Sequence, residues 1–94
     1  MRALMLSLLM SPLALLAQVV IHGSVYGDHT PIPYCSIYFS DLPHVGVTSN
    51  EAGEYKITFP DSLQGHRITF SSIGFKKFEV TVTELLINPN IHLM

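Results

Sequence analysis

Histidine, cysteine and carboxylate side chains are the groups in this chain that could bind a metal or catalyse a reaction. No two of the histidines are two or four residues apart. A metal site needs several ligands that converge on one point, usually with carboxylate or thiolate support. The spacing therefore predicts solvated histidines and no metal site. The histidines are His22, His29, His44, His66 and His92.

Cys35 is the only cysteine, which excludes an internal disulfide and a multi-cysteine zinc site. It falls on a row predicted to face inward, together with Pro33, Ile37 and Phe39. A buried thiol packs as a small hydrophobic group, whereas a nucleophilic thiol needs an electropositive, partly exposed setting. We expect inert packing. The alternative is pairing with a cysteine of another chain in an oxidising compartment.

Several carboxylates lie in or beside predicted turns and lack the spacing of a calcium-binding loop. Their spacing alone leaves a glycosidase-like pair open, but a small sandwich offers little concave volume for a substrate. No G-x-S-x-G motif supports a nucleophilic serine. We expect solvated turn charges, no catalytic residues and no cofactor. The carboxylates are Asp28, Asp41, Glu51, Glu54 and Asp61.

Length and charge limit the range of functions. The chain has 94 residues, which allows one domain. Lys and Arg number 5 against 7 Asp and Glu, giving a formal net charge of −2. This balance offers no basic surface for nucleic acid, and the pair Lys76 and Lys77 is too small to bind an anion.

Residues 1–17, MRALMLSLLMSPLALLA, have the layout of a secretory signal peptide. Arg2 precedes an apolar run, and the small residues Ala14 and Ala17 lie near its end. The run is shorter than the roughly 20 residues that a transmembrane helix needs. We predict a signal-peptide helix that is cleaved after Ala17, with residues 18–94 as the mature domain.

From residue 19 onward, apolar and polar residues alternate with period two, which is typical of half-buried strands. Turn residues interrupt the alternation and divide it into seven short strands. A short helical turn near residues 83–87 also fits the sequence. The predicted fold class is all-β, a seven-stranded antiparallel sandwich. The core residues expected to face one another are Ile21, Ile37, Tyr55, Ile57, Phe70 and Val80.

Several short motifs in order resemble those of carboxypeptidase regulatory-like domains. The segments IHGSV and PIPYCSI are similar to the opening of these domains, and VTSNEAGEYKI is similar to their central hairpin. ITFSSIGFK is similar to a later turn, and the final I-H-L to the closing strand. The resemblance covers roughly residues 19–94. It singles out four structural residues, Gly53, Tyr55, Gly74 and Phe75.

The resemblance implies a transthyretin-like (prealbumin-like, Ig-like) sandwich without catalytic residues of its own. In bacteria, particularly lineages of the Bacteroidetes type, such domains often follow a signal peptide and precede TonB-dependent outer-membrane receptors or similar proteins. The implied function is a non-enzymatic interaction domain in the periplasm or at the outer membrane. Its partner would be an envelope protein or a C-terminal barrel. The chain departs from the family at Cys35, where a small residue is usual, and in a long loop at residues 60–65.

A stand-alone periplasmic sandwich that binds carbohydrate or another ligand is the alternative function. Its candidate interaction surface consists of the outward tyrosines Tyr26, Tyr34 and Tyr38, because aromatic rings offer stacking surfaces. The absence of Trp counts against it. A hydrolase of the transthyretin-related type is disfavoured, because those proteins end in Tyr-Arg-Gly-Ser and this sequence ends in His-Leu-Met.

Overall fold

The computed structural model describes residues 17–94, which form two four-stranded β-sheets that share one hydrophobic core. The predicted signal peptide at residues 1–17 lies, apart from Ala17, outside the described residues. Within the described range, no helix is long and apolar enough to cross a membrane.

Residues 17–94 contain eight strands, one 3₁₀ turn and one short helix. The sequence predicts seven strands. The additional strand is a two-residue piece that forms a hairpin with the first strand. In chain order the elements are β1 (Gln18–Gly27), β2 (Thr30–Pro31), β3 (Ser36–Phe39), β4 (Leu42–Thr48), β5 (Glu54–Pro60), a 3₁₀ turn (Asp61–Leu63), β6 (Arg67–Ser71), β7 (Phe78–Thr81), α1 (Val82–Ile87) and β8 (Asn90–Leu93).

The strands divide between two sheets that the chain visits alternately. In sheet 1, β1 pairs with β2 and β5 in antiparallel orientation and with β8 in parallel orientation. In sheet 2, the strand order is β4-β3-β6-β7 and every pair is antiparallel. The parallel pair of β1 and β8 corrects the prediction of a wholly antiparallel sandwich. Parallel strands need a long crossover connection, and α1 lies on the return path from β7 to β8.

Alternation of buried and outward residues builds the core as predicted in β1, β3, β5 and β8. In β5, Tyr55, Ile57 and Phe59 are buried while the residues between them are exposed. The rings of Phe59 and Phe39 meet edge to face across the two sheets, with centroids 5.0 Å apart. Tyr55 and Phe70 meet in the same way at 5.6 Å. Edge-to-face contacts add to the hydrophobic stabilisation of the core.

The predicted core residues are buried with one exception. Val80 in β7 is only half-buried, and its neighbour Phe78 is 39 % exposed. The reason is that β7 forms one edge of sheet 2 and has a neighbouring strand on one side only. The core on this side of the sandwich is closed by α1, which packs against β7. Val82 and Leu85 of α1 are completely buried. The others, Ile21, Ile37, Tyr55, Ile57 and Phe70, are confirmed as core.

The turn before β5 depends on Asn50 and Gly53. The side-chain oxygen of Asn50 accepts hydrogen bonds from the N–H groups of Ala52 and Glu54, both at 2.9 Å. Gly53 has φ +76°, which L-residues with a side chain seldom adopt. A Cβ atom at this position would also lie 2.7 Å from the carbonyl oxygen of Val25. Both conformation and space therefore require glycine here.

Ser49 joins the first two places where the chain crosses between the sheets, from β2 to β3 and from β4 to β5. Its side chain is 1 % exposed. The hydroxyl accepts the Cys35 N–H and donates to the Ile32 C=O, both at 2.8 Å. The Ser49 backbone also donates to the Cys35 C=O and accepts from the Tyr34 N–H, each at 3.0 Å. One small residue thus pairs with backbone groups of Ile32, Tyr34 and Cys35 in the segment between β2 and β3.

Tyr55 attaches the last strand to sheet 1. Its hydroxyl donates a hydrogen bond to the Pro89 C=O at 2.7 Å, just before β8. Burial raises the pKa of this hydroxyl well above its usual range, so it remains a donor. Gly23 of β1 lies next to the hydrogen bond between Tyr55 and Pro89. A Cβ atom at this position would lie 2.6 Å from the Tyr55 oxygen, so a larger residue would disturb this bond.

We predict that Ser49→Ala lowers the free energy of unfolding by about 2–3 kcal/mol, because the Cys35 N–H and the Ile32 C=O would be left buried and unpaired. Urea denaturation measures the change. Ser62→Ala, at an exposed position of the 3₁₀ turn, is the control and should change stability by less than about 0.5 kcal/mol. Equal effects of the two substitutions would contradict this account of Ser49.

We also predict that Gly53→Ala destabilises the domain more than Gly74→Ala. Both glycines have positive φ, +76° and +91°, so each alanine variant pays about 1 kcal/mol of backbone strain. Nothing lies within 4 Å of a Cβ atom at Gly74, whereas Gly53 adds the contact with Val25. Thermal or urea unfolding of the two variants compares them directly. A larger loss for Gly74→Ala would refute the steric argument.

Candidate functional site

The tyrosines predicted to form an interaction surface lie on three separate parts of the molecule. Tyr26 is half-buried on the outer face of sheet 1, and Tyr38 is half-buried on the outer face of sheet 2. These two faces are on opposite sides of the sandwich. Tyr34 is 63 % exposed in the segment that connects the sheets. The structure does not bring the three rings together into a common stacking surface.

Tyr34 has a structural role that its exposure does not suggest. Its φ of +57° is unusual for a bulky residue. The Tyr34 N–H donates to the Ser49 C=O at 3.0 Å, and the hydroxyl donates to Glu51 Oε1 at 3.2 Å. The strained backbone of Tyr34 is therefore part of the crossing from β2 to β3, which the hydrogen bonds of Ser49 stabilise.

Tyr26 stacks on His92, with ring centroids 5.6 Å apart and an interplanar angle of 23°. The two residues are direct partners in the parallel pairing of β1 with β8. Their contact therefore follows from a strand pairing that the sequence did not reveal. His22 and His92, predicted on polar strand faces, are both exposed, as are His29 and His44.

His66 forms the only histidine–carboxylate pair found in residues 17–94. Its Nδ1 lies 3.0 Å from Asp41 Oδ2, and this hydrogen bond lowers the pKa of Asp41. A catalytic triad would also need a serine hydroxyl bonded to the imidazole. No serine among the described residues bonds to His66, and the nearby Ser40 hydroxyl bonds instead to Thr69 at 2.7 Å.

The other predicted carboxylates lie in or beside three different turns. Glu51 accepts from Tyr34, and Glu54 accepts from the Asn50 side chain at 3.4 Å. Asp28 lies at positive φ in the turn between β1 and β2, and Asp61 begins the 3₁₀ turn. In the described part of the chain, no group of three His, Cys, Asp or Glu residues is placed to hold a metal ion.

Cys35 lies in the core with no exposed surface. Its thiol is within hydrogen-bond distance of the Ser71 C=O, at 3.5 Å. Desolvation raises the pKa of the thiol, so the nucleophilic thiolate is disfavoured. This environment fits the predicted packing role and does not present the sulfur to another chain.

The family resemblance singles out four structural residues, and all of them lie at turns or at contacts between strands. They are Gly53, Tyr55, Gly74 and Phe75. Gly74 takes positive φ in the turn between β6 and β7. The half-buried ring of Phe75 packs directly against the Cα of Gly27 at the end of β1. Next to it, the Lys76 N–H donates to the Met94 C=O at 2.8 Å. This turn therefore contacts the ends of both β1 and β8.

A shallow polar groove of about 510 Å³ lies on the outer face of sheet 1, beside the outer edge of β5. Its floor is formed by two cross-strand pairs, His22 with Lys56 and Ser24 with Glu54. Thr48 and Asn50 line its far side. Sequence alternation showed that these side chains point outward, but it gave no indication that they flank a strand edge without a partner.

We predict that the Cys35 thiol of the folded protein reacts with a disulfide reagent such as DTNB at least about 100-fold more slowly than the same thiol in urea, because reaction requires an exposed thiolate. Absorbance of the released thiolate measures the rate. Rapid reaction under native conditions, or a disulfide-linked dimer on a non-reducing gel, would contradict the buried environment.

Comparison with known proteins identifies the family of the domain. Residues 21–93 match the CarboxypepD_reg-like domain, a range that begins in β1 and ends with β8. A search of curated proteins finds no match. The family match agrees with the motif resemblance and with the β-sandwich of the structure. The chain belongs to the CarboxypepD_reg-like domain family.

Proposed function

We propose that this protein is a non-enzymatic interaction domain of the bacterial cell envelope. The family is that of a regulatory-like β-sandwich, which supports a binding role. The proposal includes the transthyretin-like topology and the place in the envelope, as the N-terminal part of a TonB-dependent receptor or a similar outer-membrane protein. The partner is then an envelope protein or a C-terminal barrel of the same polypeptide.

One observation carries the proposal: the cysteine, the one histidine paired with a carboxylate and the most buried tyrosine among the described residues are engaged within the sandwich. Cys35 is buried, the His66 imidazole bonds to Asp41, and the Tyr55 hydroxyl bonds to the backbone. What the domain offers to a partner is its strand edges and its shallow polar surface. Such features suit protein binding better than catalysis, which needs convergent groups in a concave pocket.

The N-terminal sequence supports export of the chain. We propose that residues 1–17 direct the chain across the inner membrane and are then removed, so that residues 18–94 fold in the periplasm or at the outer membrane. The basic start, apolar run and small residues support this.

Carbohydrate binding by a stand-alone sandwich is the weaker proposal. The three tyrosines do not converge, and the Tyr26 ring is stacked on His92. A sugar-binding surface would therefore need a platform other than the predicted one.

The proposal predicts that the chain, produced from its own start codon in its host of origin with a C-terminal tag, is recovered from the envelope fraction without residues 1–17. Mass spectrometry of the intact protein identifies the new N-terminus. Cross-linking in cells followed by purification should then enrich one envelope protein above background. The reason is that a domain exported for interaction meets its partner in that compartment.

The matched control carries Leu8→Arg and Leu9→Arg, which interrupt the apolar run and should keep the chain uncleaved in the cytoplasm. Recovery of the unaltered chain uncleaved from the cytoplasm would refute the export proposal. Failure to enrich any envelope protein in the host of origin would refute the interaction function.

A further inference from the structure

The outer edge of β5 has no partner strand in the described chain, since β5 pairs only with β1. The N–H and C=O of one strand residue point to the same edge, and successive residues alternate. Asn50 donates its N–H to the Glu54 C=O at 2.8 Å and accepts the Glu54 N–H through its side chain. Glu54 therefore faces away from β1. Lys56 and Thr58, two and four residues further on, face the same way.

Two residues define the length of this open edge. Asn50 occupies the polar groups of Glu54 at one end, and Pro60 has no N–H to donate at the other end. Between them, the backbone groups of Lys56 and Thr58 have no hydrogen-bond partner within residues 17–94. Each residue offers one N–H and one C=O, so a partner strand of about five residues would satisfy them.

The side of the sandwich next to this edge is incompletely covered. β4, the edge strand of sheet 2, contacts β5, and its inward residues Val45 and Val47 are only half-buried. On the opposite side, α1 packs against β7 and buries Val82 and Leu85 completely. A strand added to β5 would turn every second side chain toward the core and cover Val45 and Val47.

The exposed side chain of Lys56 indicates which charge a bound strand should carry. Lys56 is exposed, lines the polar groove, and forms no ion pair with the described residues. The nearest carboxylate along the strand, Glu54, accepts a hydrogen bond from Asn50. A carboxylate on the added strand, directly opposite Lys56, would provide the opposite charge that the edge lacks.

We propose that the outer edge of β5 binds an extended peptide segment of about five residues by β-strand addition. The segment runs antiparallel to β5, places apolar side chains over Val45 and Val47, and carries a carboxylate opposite Lys56. It has no proline opposite Lys56 or Thr58, because the residues at these two positions donate their N–H groups to β5. This assignment rests on the proposed interaction function and names the surface and the chemistry of the partner.

The acetylated and amidated peptide Val-Thr-Val-Glu-Val is the probe. In the proposed register its Thr lies opposite Thr58 and its Glu opposite Lys56. In ¹⁵N-labelled protein, the Lys56 and Thr58 amides should exchange rapidly with solvent and become protected when the peptide is added. Shift changes should cluster along β5, with a Kd on the order of 1 mM for so short a ligand. The same peptide with N-methyl groups on its Thr and Glu should bind at least about tenfold more weakly, since it cannot donate to β5.

Substitutions in β5 test the same hydrogen bonds and the same charge pair by changing the protein instead of the peptide. Thr58→Pro removes one outward N–H without touching the bonds to β1, and should weaken peptide binding about tenfold. Thr58→Val keeps the N–H and should bind like the unaltered protein. Lys56→Glu should weaken this peptide and favour Val-Thr-Val-Lys-Val. If Thr58→Pro does not fold, the N-methylated peptide and Lys56→Glu, which alters only an exposed side chain, decide the question.

Three results would overturn the assignment. The first is equal binding of the N-methylated peptide. The second is protection at Val20 and His22 instead. Their N–H and C=O groups face the edge of β1 opposite β5, and within residues 17–94 this edge has a partner only from Ser24 onward, where β8 pairs. The third is protection of Lys56 and Thr58 in the free protein that increases with its concentration, which would mean that a second copy occupies the edge.

Failure of this assignment can be told apart from failure of the proposed function. If the envelope partner captured by the unaltered chain is captured equally well by the Lys56→Glu and Thr58→Pro variants, the edge assignment is wrong and the interaction function stands. If no envelope partner is captured, the proposed function fails, while the peptide titration still decides whether the β5 edge accepts a strand.

Discussion

The hydrogen bonds of one buried hydroxyl hold together the part of the fold where the chain first changes sheets. Between β2 and β3 the backbone groups of Ile32 and Cys35 are buried, where unpaired polar groups are costly. Ser49 receives the Cys35 N–H and donates to the Ile32 C=O, while its own backbone pairs with the same segment. Because Ser49 immediately precedes the turn that starts β5, it fixes the first two crossings relative to each other. The relative placement of the two sheets depends on this junction.

Much of the sandwich could be predicted because alternation is a local signal. The buried rows of β1, β3 and β5 follow directly from which residues are apolar, and the turn at Gly53 follows from its neighbours. The parallel pairing of β8 could not be derived this way, since a four-residue strand carries no information about its partner or direction. β2 was missed for a related reason, because two residues are too few to alternate.

The candidate surface was harder to predict than the core. The outward positions of Tyr26, Tyr34 and Tyr38 were predicted from period two, but whether they meet depends on the sheet to which each strand belongs. Long-range pairing likewise decides which strand edges remain open. Ser49 appears in the sequence as an ordinary polar residue at the end of a weak strand, and only the crossing geometry shows why a hydroxyl is needed there. Sites made of backbone groups leave no signature in residue types.

The parallel attachment of β8 to β1 has a mechanical consequence. The chain enters β1 at Gln18 and leaves β8 at Leu93, which lies beside Gly27 at the far end of β1. A force that pulls on the polypeptide at both ends therefore drags these two strands past each other along their length. Their hydrogen bonds, together with the Tyr55 contact to Pro89, are then loaded at the same time instead of opening one after another like a zip. This connection therefore suits the domain to resist a force applied between its two ends.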